Sequence, residues 1–108
     1  HFIPWSFVSH DLLWNLIPSD GNINSSKSNK LPDLDCYLPK MAEMQHHALQ
    51  TVLHANKEPK VMEDFVSLGY TARELAGMSS RQFREIYERT FNPMSQIAIN
   101  MGFETWKY

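Results

Sequence analysis

A single cysteine, Cys36, stands in the sequence. That excludes an internal disulfide and any zinc site built from four thiolates, and it suits a cytoplasmic setting. Apolar runs extend only a few residues, too short for a helix across a bilayer. Positions 1 to 20 lack a basic stretch followed by a long apolar one, so no signal peptide is expected. An excess of positive charge is also missing: the net charge is −2. Most polyanion-binding domains are basic overall, so any nucleic-acid contact here must come from local clusters. Two clusters exist, Lys27 with Lys30, and Arg81 with Arg84 and Arg89. Glu85 and Glu88 interleave with the second, and the simpler reading of that face is a solvated helix surface. What remains is globular in composition, 43% apolar and 12% aromatic over 108 residues. That length suits one domain with a modest core.

The order of segments predicts an α+β fold, mostly α. FIPWSFV (2–8) and LLWNLI (12–17) are apolar and aromatic, with Ser9-His10-Asp11 between them, and read as a β-hairpin. Pro4 interrupts the first arm and Pro18 stops the second. Residues 19–29 are rich in Ser, Asn, Asp and Gly and read as a polar loop. Within it, Asn24 or Ser25 can cap a short helix reaching Lys30, ended by Leu31-Pro32. From residue 37 the pattern becomes helical. Met41, Met44, Ala48, Val52 and Ala55, flanked by Leu49 and Leu53, predict one amphipathic helix with Pro39 in its first turn. Residues 59–68 predict a second helix ended by Gly69, and Thr71 caps a short third over ARELAGM. Ser79 or Ser80 caps a fourth, with Phe83, Ile86, Tyr87 and Phe91 on one face. Pro93 is expected to stop it and open a last helix, MSQIAINM. The organisation is a small unit over 1–35 and a helical region over 36–108, packed as one domain. A unit of thirty-odd residues needs a metal or a partner surface to fold, and the helices are expected to supply that surface.

His1, Asn15, Asn24 and Lys27 form the constellation with chemistry. Cutting a phosphodiester takes a base for water, a cation for the phosphate, and a group that orients the base. Imidazole suits the first, with an ordinary pKa of about 6.5. A divalent metal suits the second, and an amide the third. The plain alternative for His1 is a frayed terminal side chain.

HFIPWS, WNLIP and NSSKSNKLP together resemble the HNH endonuclease motif, a hairpin and short helix wrapped on one metal ion (the ββα-metal motif). The resemblance covers about residues 1–32. It implies that His1 is the general base, that Asn15 orients the base loop, and that Asn24 and His1 are metal ligands. Lys27 matches a phosphate-contacting lysine, and Lys30, Arg81 and Arg84 are expected to assist at phosphate. The implied cofactor is a divalent cation, Mg²⁺ or Mn²⁺ first and Ni²⁺ or Zn²⁺ next. The implied substrate is DNA, with RNA also open, and the implied setting is a larger polypeptide or complex of a bacterial defence system. The family places an Asp, a metal ligand, directly before the base, and here the sequence starts at His1. Two expectations follow: a piece whose upstream Asp has been removed, or a degenerate, non-catalytic relative.

Other candidates have simpler readings. His46, His47 and His54 lie on the long helix without the three- or four-residue spacing a metal pair prefers, and read as surface or core-edge side chains. His10-Asp11 offers an acid-base pair, but a turn Asp bonding its own backbone accounts for it. Phe2, Trp5, Phe7 and Trp14 read as core rather than base-stacking platforms. PMSQIAINMGFETWKY is similar to a helix-turn-helix of arabinose-regulator type, with a recognition helix starting near Glu104. That leaves a DNA-binding or interaction module as the alternative function, and few residues remain for such a helix.

Overall fold

Two long helices, each started by a side-chain cap, carry the fold. The structure is a computed structural model that describes residues 1–16, 27, 30–55 and 60–106. Its elements are a single helical turn α1 (Trp5–Val8), a 3₁₀ turn (Leu13–Asn15), strand β1 (Leu31–Pro32) and helix α2 (Leu34–His54). A 3₁₀ helix (Lys60–Leu68), α3 (Ala72–Ala76), α4 (Ser80–Asn100) and strand β2 (Thr105–Trp106) follow. The class is α+β, mostly α, as the sequence predicts.

Caps explain the helix starts. The Asp33 carboxylate accepts from the Asp35 N–H and opens α2. Thr71 with Glu74, and Ser79 with Gln82, form complete capping boxes before α3 and α4. Each box satisfies two otherwise orphaned donors. The buried face of α2 is Leu38, Met41, Ala42, Gln45, His46 and Leu49. This differs from the predicted stripe: Met44 is 39% exposed and Ala48 and Ala55 face solvent. The reason is polar burial. Gln45 and His46 have partners inside, so the face turns toward them, and an apolar count cannot see that.

Pro93 does not end a helix. It lies inside α4, exposed, while Phe91, Ser95 and Ala98 are buried on the other side. Proline removes the bond to the Arg89 carbonyl, but solvent reaches that face and the buried side keeps the helix running. α4 ends at Gly102, whose φ of +101° is costly for any residue with a Cβ. There the Phe103 N–H bonds the Ala98 carbonyl at 3.1 Å and the Gly102 N–H bonds that of Ile99 at 3.0 Å, a Schellman motif. The reversal sends the chain into β2 instead of the recognition helix that a helix-turn-helix requires. β2 pairs in parallel with β1, Leu31 opposite Thr105 and Pro32 opposite Trp106.

The predicted hairpin is also corrected. Its arms are helical turns at Trp5–Val8 and Leu13–Asn15 rather than strands. They still lie side by side, joined by the Phe2 N–H on the Asn15 carbonyl at 2.7 Å. Aromatic packing fixes them on α4: the ring of Phe91 meets Phe2 at 5.3 Å and Trp14 at 5.5 Å, both edge to face. The N-terminal segment is therefore packed on α4. The short helix expected from Asn24 or Ser25 falls largely outside the described residues, within which Lys27 is helical.

Candidate functional site

The site is built outward from the 3₁₀ turn at Leu13–Asn15, because side chains of three helical elements bond the turn and the residue after it. The Leu13 N–H donates to Asp64 Oδ2 at 2.9 Å. The Trp14 indole N–H donates to Ser67 Oγ at 2.7 Å, and the Tyr87 hydroxyl donates to the Trp14 carbonyl at 3.1 Å. Gln45 Nε2 donates to the carbonyls of Leu16 at 2.7 Å and Leu13 at 3.3 Å. Side chains from α2, the 3₁₀ helix and α4 thus converge on three residues of backbone.

Asn15 is the product of that anchoring. Its side chain is fully buried and reads the backbone of Ile3 from both sides. Oδ1 accepts the Ile3 N–H at 2.8 Å, and Nδ2 donates to the Ile3 carbonyl at 2.9 Å. With the bond from the Phe2 N–H, Asn15 fixes the two residues that follow His1. Burial is what makes the arrangement strict, since an unpaired backbone group here would have no water to turn to.

His1 stands at the open edge of this clasp. Its Nε2 lies 2.5 Å from Asp11 Oδ1, and its carbonyl accepts from Lys27 Nζ at 3.1 Å. Asp11 does not bond its own backbone as the sequence suggests. In that turn Ser9 takes a positive φ of 57° and His10 Nδ1 accepts the Leu12 N–H at 3.2 Å. Asp11 is left turned toward His1. Burial pushes the Lys27 ammonium down to about 8. Burial, then the charge of Lys27, also holds the His1 α-amine below its ordinary value, with Asp11 pulling the other way.

The remaining predicted residues divide. Asn24 lies outside the described residues. Lys30 Nζ sits 4.0 Å from Glu104, both exposed. Arg81 pairs with Glu85 and Arg84 with Glu88, each at 3.6 Å along the exposed side of α4, while Arg89 is exposed. Such pairs contribute little and leave the arginines able to turn to another anion. His46 is buried and stacked on Phe83 with ring centroids 4.6 Å apart, a core-edge histidine, and His47 and His54 are exposed. Among the described residues no group of three or more His, Cys, Asp or Glu gathers. Imidazole and carboxylate are suitable donor types for a divalent ion, and His1 with Asp11 brings one of each together. Together they fall short of a complete ligand set.

Several residues escaped the sequence reading: Asp11 as the partner of His1, and Gln45, Asp64, Ser67 and Tyr87 as anchors of the turn. Gln45 carried a signal, a polar side chain in line with Leu38, Met41 and Leu49. The others pair across more than fifty residues of sequence or, for Asp11, through a turn of unexpected shape.

The family model described as HNH endonuclease matches residues 1–33, the stretch that contains His1, Asn15 and Lys27. The match is consistent with an HNH-type domain near the N-terminus. No curated protein and no solved structure matches the chain. No helix among the described residues is long and apolar enough to cross a membrane.

Proposed function

We propose that this chain is a metal-dependent endonuclease module of HNH type that hydrolyses phosphodiester bonds of DNA. The observation that carries the reading is the double bond of Asn15 to the backbone of Ile3, inside the matched segment, which holds His1 at an open edge beside the Lys27 ammonium. In this reading His1 takes a proton from the attacking water. A placed imidazole base contributes about 10²- to 10⁴-fold. Lys27 lies one residue's backbone away and meets the phosphate as a point charge. Asn15 does no chemistry and keeps the base loop from moving. A divalent cation, Mg²⁺ or Mn²⁺ first and Ni²⁺ or Zn²⁺ next, held by Asn24 and His1, would supply Lewis-acid stabilisation of charge on the phosphate. Arg81, Arg84 and Lys30 contact backbone phosphates and carry no sequence information. RNA stays open as a second substrate, and target choice falls to the rest of a larger protein or complex, in a bacterial defence setting.

The test is nicking of supercoiled plasmid with Mg²⁺, Mn²⁺ or Ni²⁺ and with EDTA, by the chain itself and by a form carrying one Asp before His1. Metal-dependent nicking by either form supports the reading. Salt-sensitive DNA binding with no nicking by either folded form replaces it with a non-catalytic binding module.

A further inference from the structure

A carboxylate lies against the His1 ring. His1 Nε2 and Asp11 Oδ1 are 2.5 Å apart across ten residues of sequence. An ionised carboxylate only accepts hydrogen bonds, and a neutral imidazole carries one N–H and one lone pair. In the neutral ring the contact therefore puts the proton on Nε2 and the lone pair on Nδ1. The rest of the turn is arranged to present Asp11. Ser9 is in the left-handed region, and His10 is turned inward by its bond from the Leu12 N–H and its 5.3 Å ring contact with Trp14. With its neighbour folded inward, Asp11 stays outside, its side chain 74% exposed, against a His1 side chain that is 30% exposed. The backbone of His1 is fixed separately, by Lys27 on its carbonyl and by Asn15 on the next two residues. A ring on a fixed backbone still has a choice of rotation and tautomer, and Asp11 removes that choice.

We propose that Asp11 is the positioning residue of this edge: its carboxylate holds the His1 proton on Nε2, so that Nδ1 is the nitrogen that accepts a proton. What Nδ1 then does rests on the nuclease reading above, whereas the tautomer itself does not. Asp11 touches neither water nor phosphate in this role and acts only through the ring.

The experiment is a ring-¹⁵N spectrum of histidine-labelled chain at about pH 8, above the ordinary imidazole value of about 6.5, for wild type, Asp11→Ala and Asp11→Glu. The wild type is expected to show His1 with Nε2 protonated and Nδ1 bare. Asp11→Ala is expected to give averaged shifts of two exchanging tautomers, with the other four histidines of the chain unchanged, and Asp11→Glu to restore the single tautomer at least in part. Because Asp11 is exposed, both variants fold. A His1 spectrum that is the same in wild type and Asp11→Ala overturns the proposal, as does a wild type with Nδ1 protonated. In the cleavage assay Asp11→Ala should lower kcat by about three- to fivefold at unchanged KM, the scale of an exposed ion pair. The spectrum needs no turnover. A chain that cuts no DNA but shows the Asp11-dependent tautomer defeats the nuclease reading alone, and one that cuts normally without that tautomer defeats this inference alone.

Discussion

Replacing Asn15 by alanine tests the clasp at its centre. Asn15 and Ile3 are both fully buried, so the substitution strands the Ile3 N–H and the Ile3 carbonyl together. Each unsatisfied buried group costs about 1–3 kcal/mol. Some relaxation offsets the sum, and a loss of about 2–5 kcal/mol is expected, a large share of the roughly 5–15 kcal/mol that holds an ordinary domain. For a domain near this size each kcal/mol lowers the Tm by about 4–8 °C, which makes the expected drop at least about 8 °C. Asn15→Asp is no rescue. It keeps an acceptor for the Ile3 N–H, loses the donor to the Ile3 carbonyl, and buries a charge. The assay is urea unfolding followed by tryptophan fluorescence, since Trp14 adjoins the site, with Asn92→Ala on the exposed side of α4 as the control. The control should stay within about 0.5 kcal/mol of wild type. A loss below about 1 kcal/mol for Asn15→Ala would refute the argument that buried backbone pairing, rather than aromatic packing alone, fixes the segment after His1.

Two further outcomes follow from the same geometry. Burial raises the Tyr87 phenol far above its usual range. Above about pH 10 the unfolded chain gives up that proton while the folded one keeps it, so stability falls as pH rises from there. Tyr87→Phe should cost about 1 kcal/mol at neutral pH through the lost bond to Trp14 and should flatten that alkaline fall, read from urea midpoints at neutral and alkaline pH. An equally steep fall in the variant would contradict the assignment. Lys27→Met should weaken DNA binding evenly across sequences and reduce the slope of log affinity against log salt by about one. An unchanged slope would remove Lys27 from the phosphate contacts.

The sequence made some of this legible and hid the rest for physical reasons. Caps are local, so Thr71 and Ser79 announced the starts of α3 and α4, which the structure bears out with full capping boxes. The buried face of α4 at Phe83, Ile86, Tyr87 and Phe91 also followed from spacing. Proline misled at residue 93, because its cost can be met where the freed carbonyl faces solvent. Aromatic and β-branched residues at 2–8 suggested strands. Tertiary burial overrode that propensity, since packing on Phe91 serves those side chains equally well from a helical turn. At the site, the resemblance to the HNH motif picked out His1, Asn15 and Lys27, and the structure brings those three together through the backbone of residues 1–3. Spacing said nothing of Asp11 or Gln45, whose partners depend on how the turn and helix α2 meet in space.

The most direct measurement of the central claim is nicking by His1→Ala with and without added imidazole, beside the parent form. The account predicts a fall of at least about 100-fold, the chain still folded and still binding DNA, with imidazole restoring part of the rate. Cleavage that persists at the parent rate in His1→Ala would contradict it, and the base would have to be sought elsewhere.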